Sequence, residues 1–190
     1  MTMNELLEKI YKQSAYSSLT TNKTTFDEQK VGSPVYGEIT QKGTQAIINK
    51  FTEHFHKDTV FYDLGSGLGK MVFHVGLVVG AKSTGIEYSK ERHSGATKIK
   101  EFYIPDYENI SFKNDNVLNV DISDATVVYM DNTVFPDNIC LETYNNISSG
   151  CLLLYKKKFR SKNIQEEQSF DKDLVDRTYN QNMLFWLIKS

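Results

Sequence analysis

Residues 60–70 read VFYDLGSGLGK: a β-branched and aromatic run, an acid, and then Gly65, Gly67 and Gly69 spaced two apart. The apolar run has the character of a strand. It stops where the glycines begin, because residues without a Cβ allow turns that other side chains forbid. Apolar residues resume with helical spacing over 68–79, so the stretch reads as strand, bare turn, helix. That is the first half of a βαβ unit, and it predicts a parallel sheet.

The rest of the chain continues the alternation. Runs at 82–87, 109–113, 126–131 and 150–155 predict four more strands, each nearly continuous in apolar residues as buried parallel strands are. Helical patterns at 89–103 and 137–146 lie between them, with Pro136 suited to a helix start. The passage from the third strand to the fourth is short. Extended runs at 173–179 and 182–189, joined by a polar turn, predict a hairpin that closes the sheet. Residues 4–11 and 38–55 read as helices ahead of the first strand, with a polar stretch at 17–32 between them. The fold class is therefore α/β, with a doubly wound, mostly parallel sheet.

Composition limits the function. A chain of 190 residues, 39% hydrophobic, buries roughly 70% of its unfolded surface as one globular domain. A net charge of −2 excludes a uniformly basic nucleic-acid binder. The only dense basic patch is Lys156, Lys157, Lys158 and Arg160 around Phe159, which suits either a polyanion or plain solvent. Cys140 and Cys151 lack C-x-x-C spacing and no apolar leader precedes the first strand, so an intracellular protein is expected. No apolar run approaches the ~18 residues of a membrane span. His54, His56, His74 and His93 have no metal-ligand spacing, so no metal is expected.

In a doubly wound sheet the ligand lies beyond the carboxyl ends of the strands. The glycine turn therefore marks the pocket. A phosphate-binding P-loop is excluded, since Leu64 stands where its first glycine belongs and Met71 follows Lys70 where a hydroxyl is required. A dinucleotide fingerprint fits poorly, with Lys70 at a position that needs a small residue and Asp63 where a pyrophosphate would lie. An acid there suits a ligand with a positive amino group and no phosphates, such as the methionine end of S-adenosylmethionine. Glu87, closing the second strand about twenty residues later, is placed to accept both ribose hydroxyls of a nucleoside. Asp115, past the third strand, is placed to receive an adenine amino group. Either of these two acids alone also fits a helix cap or a solvated loop.

The arrangement Asp63-x-Gly65-x-Gly67-x-Gly69 followed by Gly85-Ile86-Glu87 resembles the Rossmann-like class I S-adenosylmethionine-dependent methyltransferases. Val35-Tyr36-Gly37-Glu38 upstream, with Asp131-Asn132-Thr133-Val134-Phe135 after the fourth strand, resembles the Dot-one type (disruptor of telomeric silencing) non-SET histone-lysine methyltransferases. The resemblance implies a Rossmann-like sheet of seven strands with a C-terminal antiparallel hairpin, and one methyltransferase domain over residues 1–190. Residues 1–58 would supply a helical segment and a loop over the cofactor, and residues 59–190 the core. It further implies that Tyr36, Gly37, Glu38, Ile39, Asp63, Gly65, Ser66, Gly67, Gly69, Lys70, Glu87, Asp115 and Asn116 hold the cofactor. Asn132 would orient the incoming amine, and Tyr36, Phe135 and Trp186, or Phe185, would wall its channel. Three positions depart from the family: Asp131 replaces the first of two asparagines, Asn116 an aromatic residue, and Lys70 a glutamine.

The implied chemistry is methyl transfer to a protein lysine, with a histone or nucleosome as partner and a nuclear location if chromatin is the substrate. A lysine with pKa near 10.4 must lose a proton to attack, at a cost of roughly 4 kcal/mol at neutral pH. An apolar channel lowers that cost by disfavouring the charged form. No dedicated base is evident. The main alternatives are methylation of RNA ribose, enlisting Asp131, Lys156 and Glu166, methylation of a small molecule, and cofactor binding without turnover. Cys140 and Cys151 read as small core residues.

Overall fold

A computed structural model of the chain describes residues 1–13, 38–159, 168–169 and 185–190. Helix α1 (Met3–Lys12) opens on a capping box, in which Thr2 accepts from the Glu5 amide and Glu5 accepts from the Thr2 amide. Helix α2 (Gln41–Lys50) begins where the Thr40 hydroxyl accepts from Gly43 N at 3.0 Å. The helix expected over 38–55 is therefore shorter at both ends. Glu38 and Ile39 precede the cap, and Phe51 leaves helical geometry.

Strand β1 (Val60–Leu64) enters the glycine turn, and α3 (Lys70–His74) leaves it, widening into a π-helical turn over Val75–Val79. The helix starts at Lys70 and not at Leu68, because Gly69 holds a left-handed φ of +78° that no helix continues through. Strand β2 (Lys82–Ile86), helix α4 (Lys90–Tyr103) and strand β3 (Ile110–Lys113) follow. Strand β4 (Val127–Met130) runs through a short 3₁₀ turn into α5 (Asp137–Asn146), then come β5 (Leu152–Tyr155), β6 (Gln168–Ser169) and β7 (Phe185–Ile188).

The seven strands form one sheet in the order β3-β2-β1-β4-β5-β7-β6. Strands β1 to β5 are parallel, and β7 runs antiparallel to both β5 and β6. This is the mixed, Rossmann-like sheet the sequence implied. On its outer side β7 pairs with Gln168–Ser169; the extended run expected at 173–179 lies outside the described residues.

Strand alternation divides the core. Phe61, Val127, Tyr129, Leu152 and Leu154 face α1 to α4, and Tyr62, Leu64, Val128, Met130, Leu153 and Tyr155 join the second cluster with Cys140 of α5 and Ile147. The winding reverses between β1 and β4, which opens a crevice at their carboxyl ends. Register fixes what lines it. Leu64 is level with Ile86 and Met130, and Met130 with Tyr155. The next residue on each strand falls in one rim row: Glu87, Gly65, Asp131 and Lys156.

Candidate cofactor and active site

Three consecutive alternate residues of the turn, Gly65, Gly67 and Gly69, have φ of +80°, +57° and +78°. Every other residue type is strained there. Space is also limiting, since a Cβ at Gly69 would stand 2.3 Å from Phe112 Cε1, and one at Gly65 would stand 3.1 Å from Phe135 Cζ. The turn is tied to the second strand: Gly65 N and Ser66 N both donate to the Ile86 carbonyl, at 2.8 and 3.0 Å. Gly67 N donates to Glu87 Oε2 at 2.9 Å.

Glu87 thus has a structural duty as well as the one expected of it. Its other oxygen accepts from Ser89 N at 2.7 Å, and Arg92 lies 3.9 Å from it. Two backbone amides occupy half of a carboxylate's roughly four acceptor positions, and the remainder are free to take hydroxyl protons. Asp63, two residues before Gly65, is 5% exposed. Burial first, and the neighbouring Glu87 charge second, push its carboxyl up to about 8. A cation beside Asp63 would reverse both effects. Asp115 is exposed and accepts from Asn116 N and Asn119 Nδ2, and the Asn116 side chain accepts from Leu118 N. The pair forms a preorganised polar corner beyond β3.

Glu38 and Lys70 meet each other in an ion pair with both side chains buried. The Lys70 ammonium also donates to the Tyr11 carbonyl at 2.9 Å. Helix α1, the segment before α2 and the turn's own helix are therefore joined at one point. Sequence reasoning missed the polar network behind it. The His74 ring contacts Tyr11 Oη at 3.2 Å and Gln45 Oε1 at 3.0 Å, and Tyr11 Oη donates to Thr44 Oγ1 at 2.9 Å. Burial lowers His74 to about 4, so the ring is neutral. Burial raises the Tyr11 phenol, with smaller contributions from Asp63 and Glu38 that place Tyr11 beside the pocket acids. The available signal was the i, i+4 spacing of Lys70 and His74 on one helix face.

The β4 loop divides its expected roles. Asn132 is fully buried: its Oδ1 accepts from Lys156 N at 2.8 Å and Lys157 N at 2.7 Å, and its Nδ2 donates to the Lys157 carbonyl at 2.6 Å and toward Cys140 Sγ at 3.5 Å. All four amide positions are filled from within the chain, so the side chain straps β4 to the end of β5. Phe135 lies against the glycine turn, as its approach to Gly65 shows. Trp186 is level with Leu154 on β7 and meets Phe51 edge-on at 5.3 Å, so its ring packs toward α2. Phe185 stacks on Tyr155 at 5.7 Å. Tyr36 and Gly37 lie outside the described residues, as do Arg160 and Glu166.

The basic patch is not a uniform solvated face. Lys157 and Lys158 are exposed, but Lys156 is 7% exposed, and its ammonium is buried without a hydrogen-bond partner. Burial lowers its pKa to about 8. Its backbone, not its charge, is what Asn132 holds.

The pocket fits S-adenosylmethionine. Two buried carboxylates call for a cation, Ser66 Oγ is buried without a partner beside the bare backbone of the turn, and polyphosphate has no place near Asp63. Among the described residues no group of His, Cys, Asp or Glu could hold a metal. No helix among them is long and apolar enough to cross a membrane.

Solved structures share the fold. An RNA methyltransferase from Salinibacter ruber, in complex with S-adenosylhomocysteine, superposes with TM-score 0.64 at 19% identity over 80% of this chain and 92% of its own. A precorrin-6y C5,15-methyltransferase from Geobacter metallireducens gives 0.58 at 9% identity, over 86% and 96%. A methyltransferase from Geobacter sulfurreducens, also with S-adenosylhomocysteine, gives 0.54 at 16% identity; this chain covers 77% of itself and 55% of that protein. No curated protein matches the sequence. The strand order, the glycine turn and the acids at the ends of β1 and β2 define a class I S-adenosylmethionine-dependent methyltransferase. Within that class, the family model of the histone methylation protein DOT1 matches residues 16–185, and the chain belongs to that family.

Proposed function

We propose that the protein transfers a methyl group from S-adenosylmethionine to a lysine side chain of a protein, with a histone as the first candidate. The observation that carries this reading is the match of the histone-methylation family over residues 16–185. It is supported locally by the β4 loop, which sets Phe135 against Gly65 and so places an apolar ring at the edge of the donor turn.

Asp63 holds the donor's ammonium, Glu87 the ribose hydroxyls, and Asp115 with Asn116 the adenine edge. Ser66 adds a hydroxyl, and Gly65, Gly67 and Gly69 let the backbone approach. Tyr36 and Gly37, with Glu38 and Ile39, cover the donor. The bound donor supplies an electrophilic methyl on a sulfonium. The chain aligns a neutral amine with it, and the apolar wall of Phe135 favours the unprotonated amine. Asn132 acts as a positioning residue, because its amide is committed to the backbone of Lys156 and Lys157. Trp186 packs on Phe51 in the cluster of Phe61 and Leu154, on the other face of the sheet from Phe135. Nuclear localisation follows if chromatin is the substrate.

A second reading, RNA ribose methylation, is favoured by one observation: Asp131 and Lys156, an acid and a lysine of the kind that activates a hydroxyl, directly follow the level pair Met130 and Tyr155. Tritiated donor incubated with nucleosomes, free histones, total RNA and a metabolite extract separates the readings. Label in an acid-stable histone lysine supports the first, label in RNA replaces it with the second, and tight donor binding without label in any fraction leaves a binding module.

A further inference from the structure

Lys156 is a rim residue whose chemistry the lysine-methylation reading leaves unused. Ile86, Leu64, Met130 and Tyr155 are level at the ends of β2, β1, β4 and β5, and the next residues are Glu87, Gly65, Asp131 and Lys156. Strands lie about 4.8 Å apart, so Gly65 and Lys156, two strands apart, have Cα atoms about 10 Å from each other. An extended lysine carries its nitrogen about 6 Å from Cα, by summed bond lengths. The amine of Lys156 thus reaches most of the way to the turn that holds the donor.

Direction and environment agree with reach. Lys156 directly follows β5, and continuing that strand's alternation by one residue puts it on the side of Leu152 and Leu154, the side from which Asp63 and Tyr129 project. Its Nζ is buried and has no hydrogen-bond partner, whereas Lys70, the other buried lysine at the site, is neutralised by Glu38. The end of β5 is pinned by the two amide hydrogen bonds that Asn132 Oδ1 accepts.

We propose that Lys156 is itself a methyl acceptor, modified in cis by the donor bound in the same chain. The Nζ lone pair forms the new N–C bond as the C–S bond breaks, the sulfonium electrons return to sulfur, and the ammonium so formed releases its proton to solvent. Only a neutral amine can attack. With its pKa lowered to about 8, half of Lys156 is neutral at that pH, against about 0.4% of an ordinary lysine with pKa near 10.4. The advantage over any exposed lysine is on the order of 100-fold in reactive form, before the gain from fixed placement. The proposal rests on the donor-site reading and is independent of which external substrate the enzyme uses.

The test uses the full chain. First, trace acetic anhydride labelling at pH 8 is read by peptide mass spectrometry, with and without S-adenosylhomocysteine at ten times its dissociation constant. Protection of Lys156 by about tenfold, the occupancy factor for a blocked site, with Lys157 and Lys158 unchanged, is expected. Second, incubation with S-adenosylmethionine alone is expected to add one CH₂ to the Lys156 peptide, at a rate per molecule independent of protein concentration. Lys156→Arg removes this modification, and Lys157→Arg and Lys158→Arg, which leave Lys156 in place, retain it. Calorimetric binding of S-adenosylhomocysteine with no protection and no added CH₂ overturns the proposal and leaves the donor site standing. Modification of Lys157 or Lys158 in place of Lys156 also overturns it. Absence of any binding removes the donor site and the proposal together.

Discussion

Lowering the pH from 8 to 6 is expected to weaken binding of S-adenosylhomocysteine about 50-fold, through Asp63 alone. In the free protein, burial and Glu87 hold this carboxyl up at about 8. An ammonium seated on Asp63 favours the ionised form and brings the carboxyl below 6, so that binding below pH 8 must expel a proton. Asp63 is half ionised at pH 8 and only about 1% ionised at pH 6, so the two units cost about 2.3 kcal/mol. The sign follows from linkage: a carboxyl raised from 3.8 to about 8 contributes stability that is complete below 3.8 and lost as pH rises to 8. The ionised pocket is therefore strained by roughly 6 kcal/mol at the upper end, an order-of-magnitude figure, and the bound cation relieves it. Isothermal calorimetry at pH 6, 7 and 8 in two buffers of different ionisation enthalpy measures both quantities. Close to one proton should be released per ligand at pH 7, and Asp63→Asn should bind weakly with no pH dependence. An affinity that is flat from pH 6 to 8, with heats independent of buffer, refutes the assignment of Asp63 as the ammonium receptor.

Gly69→Ala is expected to destabilise the protein by roughly 2–4 kcal/mol, because it combines a left-handed φ with a Cβ 2.3 Å from Phe112; urea denaturation checks it. Lys70→Met removes the buried ammonium from the buried Glu38 and should cost roughly 3–5 kcal/mol, with much of the loss recovered in Lys70→Met/Glu38→Gln; a double-mutant cycle by denaturation measures the recovery. Asn132→Ala strands the Lys156 and Lys157 amides and the Lys157 carbonyl, so roughly 2–4 kcal/mol of stability should go with any loss of turnover. Phe135→Leu should lower turnover with little effect on the melting temperature. His74, lowered from 6.5 to about 4, contributes stability that is lost as pH falls from 6.5 to 4; an Asp63→Asn background, which removes the opposing slope, should reveal about 3 kcal/mol of acid destabilisation over that range.

Most of the sheet was legible because buried parallel strands write themselves as short apolar runs, and all five of β1 to β5 fell within one or two residues of expectation. The glycine turn was legible for a different reason: three positive φ values in five residues admit almost nothing but glycine. Element ends were harder. The helix expected over 38–55 overran Thr40, whose hydroxyl competes for the backbone and so ends the helix pattern that apolar spacing alone extends. Side-chain duties were hardest. Asn132 is conspicuous in its motif, but nothing in sequence says that its amide is consumed by the backbone 24 and 25 residues later. Lys156 looked like part of a solvated basic run, since charge clusters reveal net sign but not which member turns inward. The Tyr11, Thr44, Gln45 and His74 network joins three helices, and contacts at separations of 33 and 63 residues leave no local pattern.

The charges around the turn give the site a direction of use. Asp63, Glu87 and Glu38 are buried carboxylates, and Lys70 and Arg92 are the buried cations beside them. With all five ionised the site carries one net negative charge in a region of low dielectric, where an uncompensated charge matters far more than at the surface. A donor that brings both an ammonium and a sulfonium satisfies Asp63 and the surplus field together. Its demethylated product keeps the ammonium and loses the second charge, so it is held less strongly by the same carboxylates. On the proposed lysine-methylation reading, the positive charge leaves sulfur for the acceptor nitrogen, next to Phe135, which offers it no counter-ion. Both products are thereby less favoured in the site than the reactants that entered it, and the electrostatics that select the donor also promote turnover.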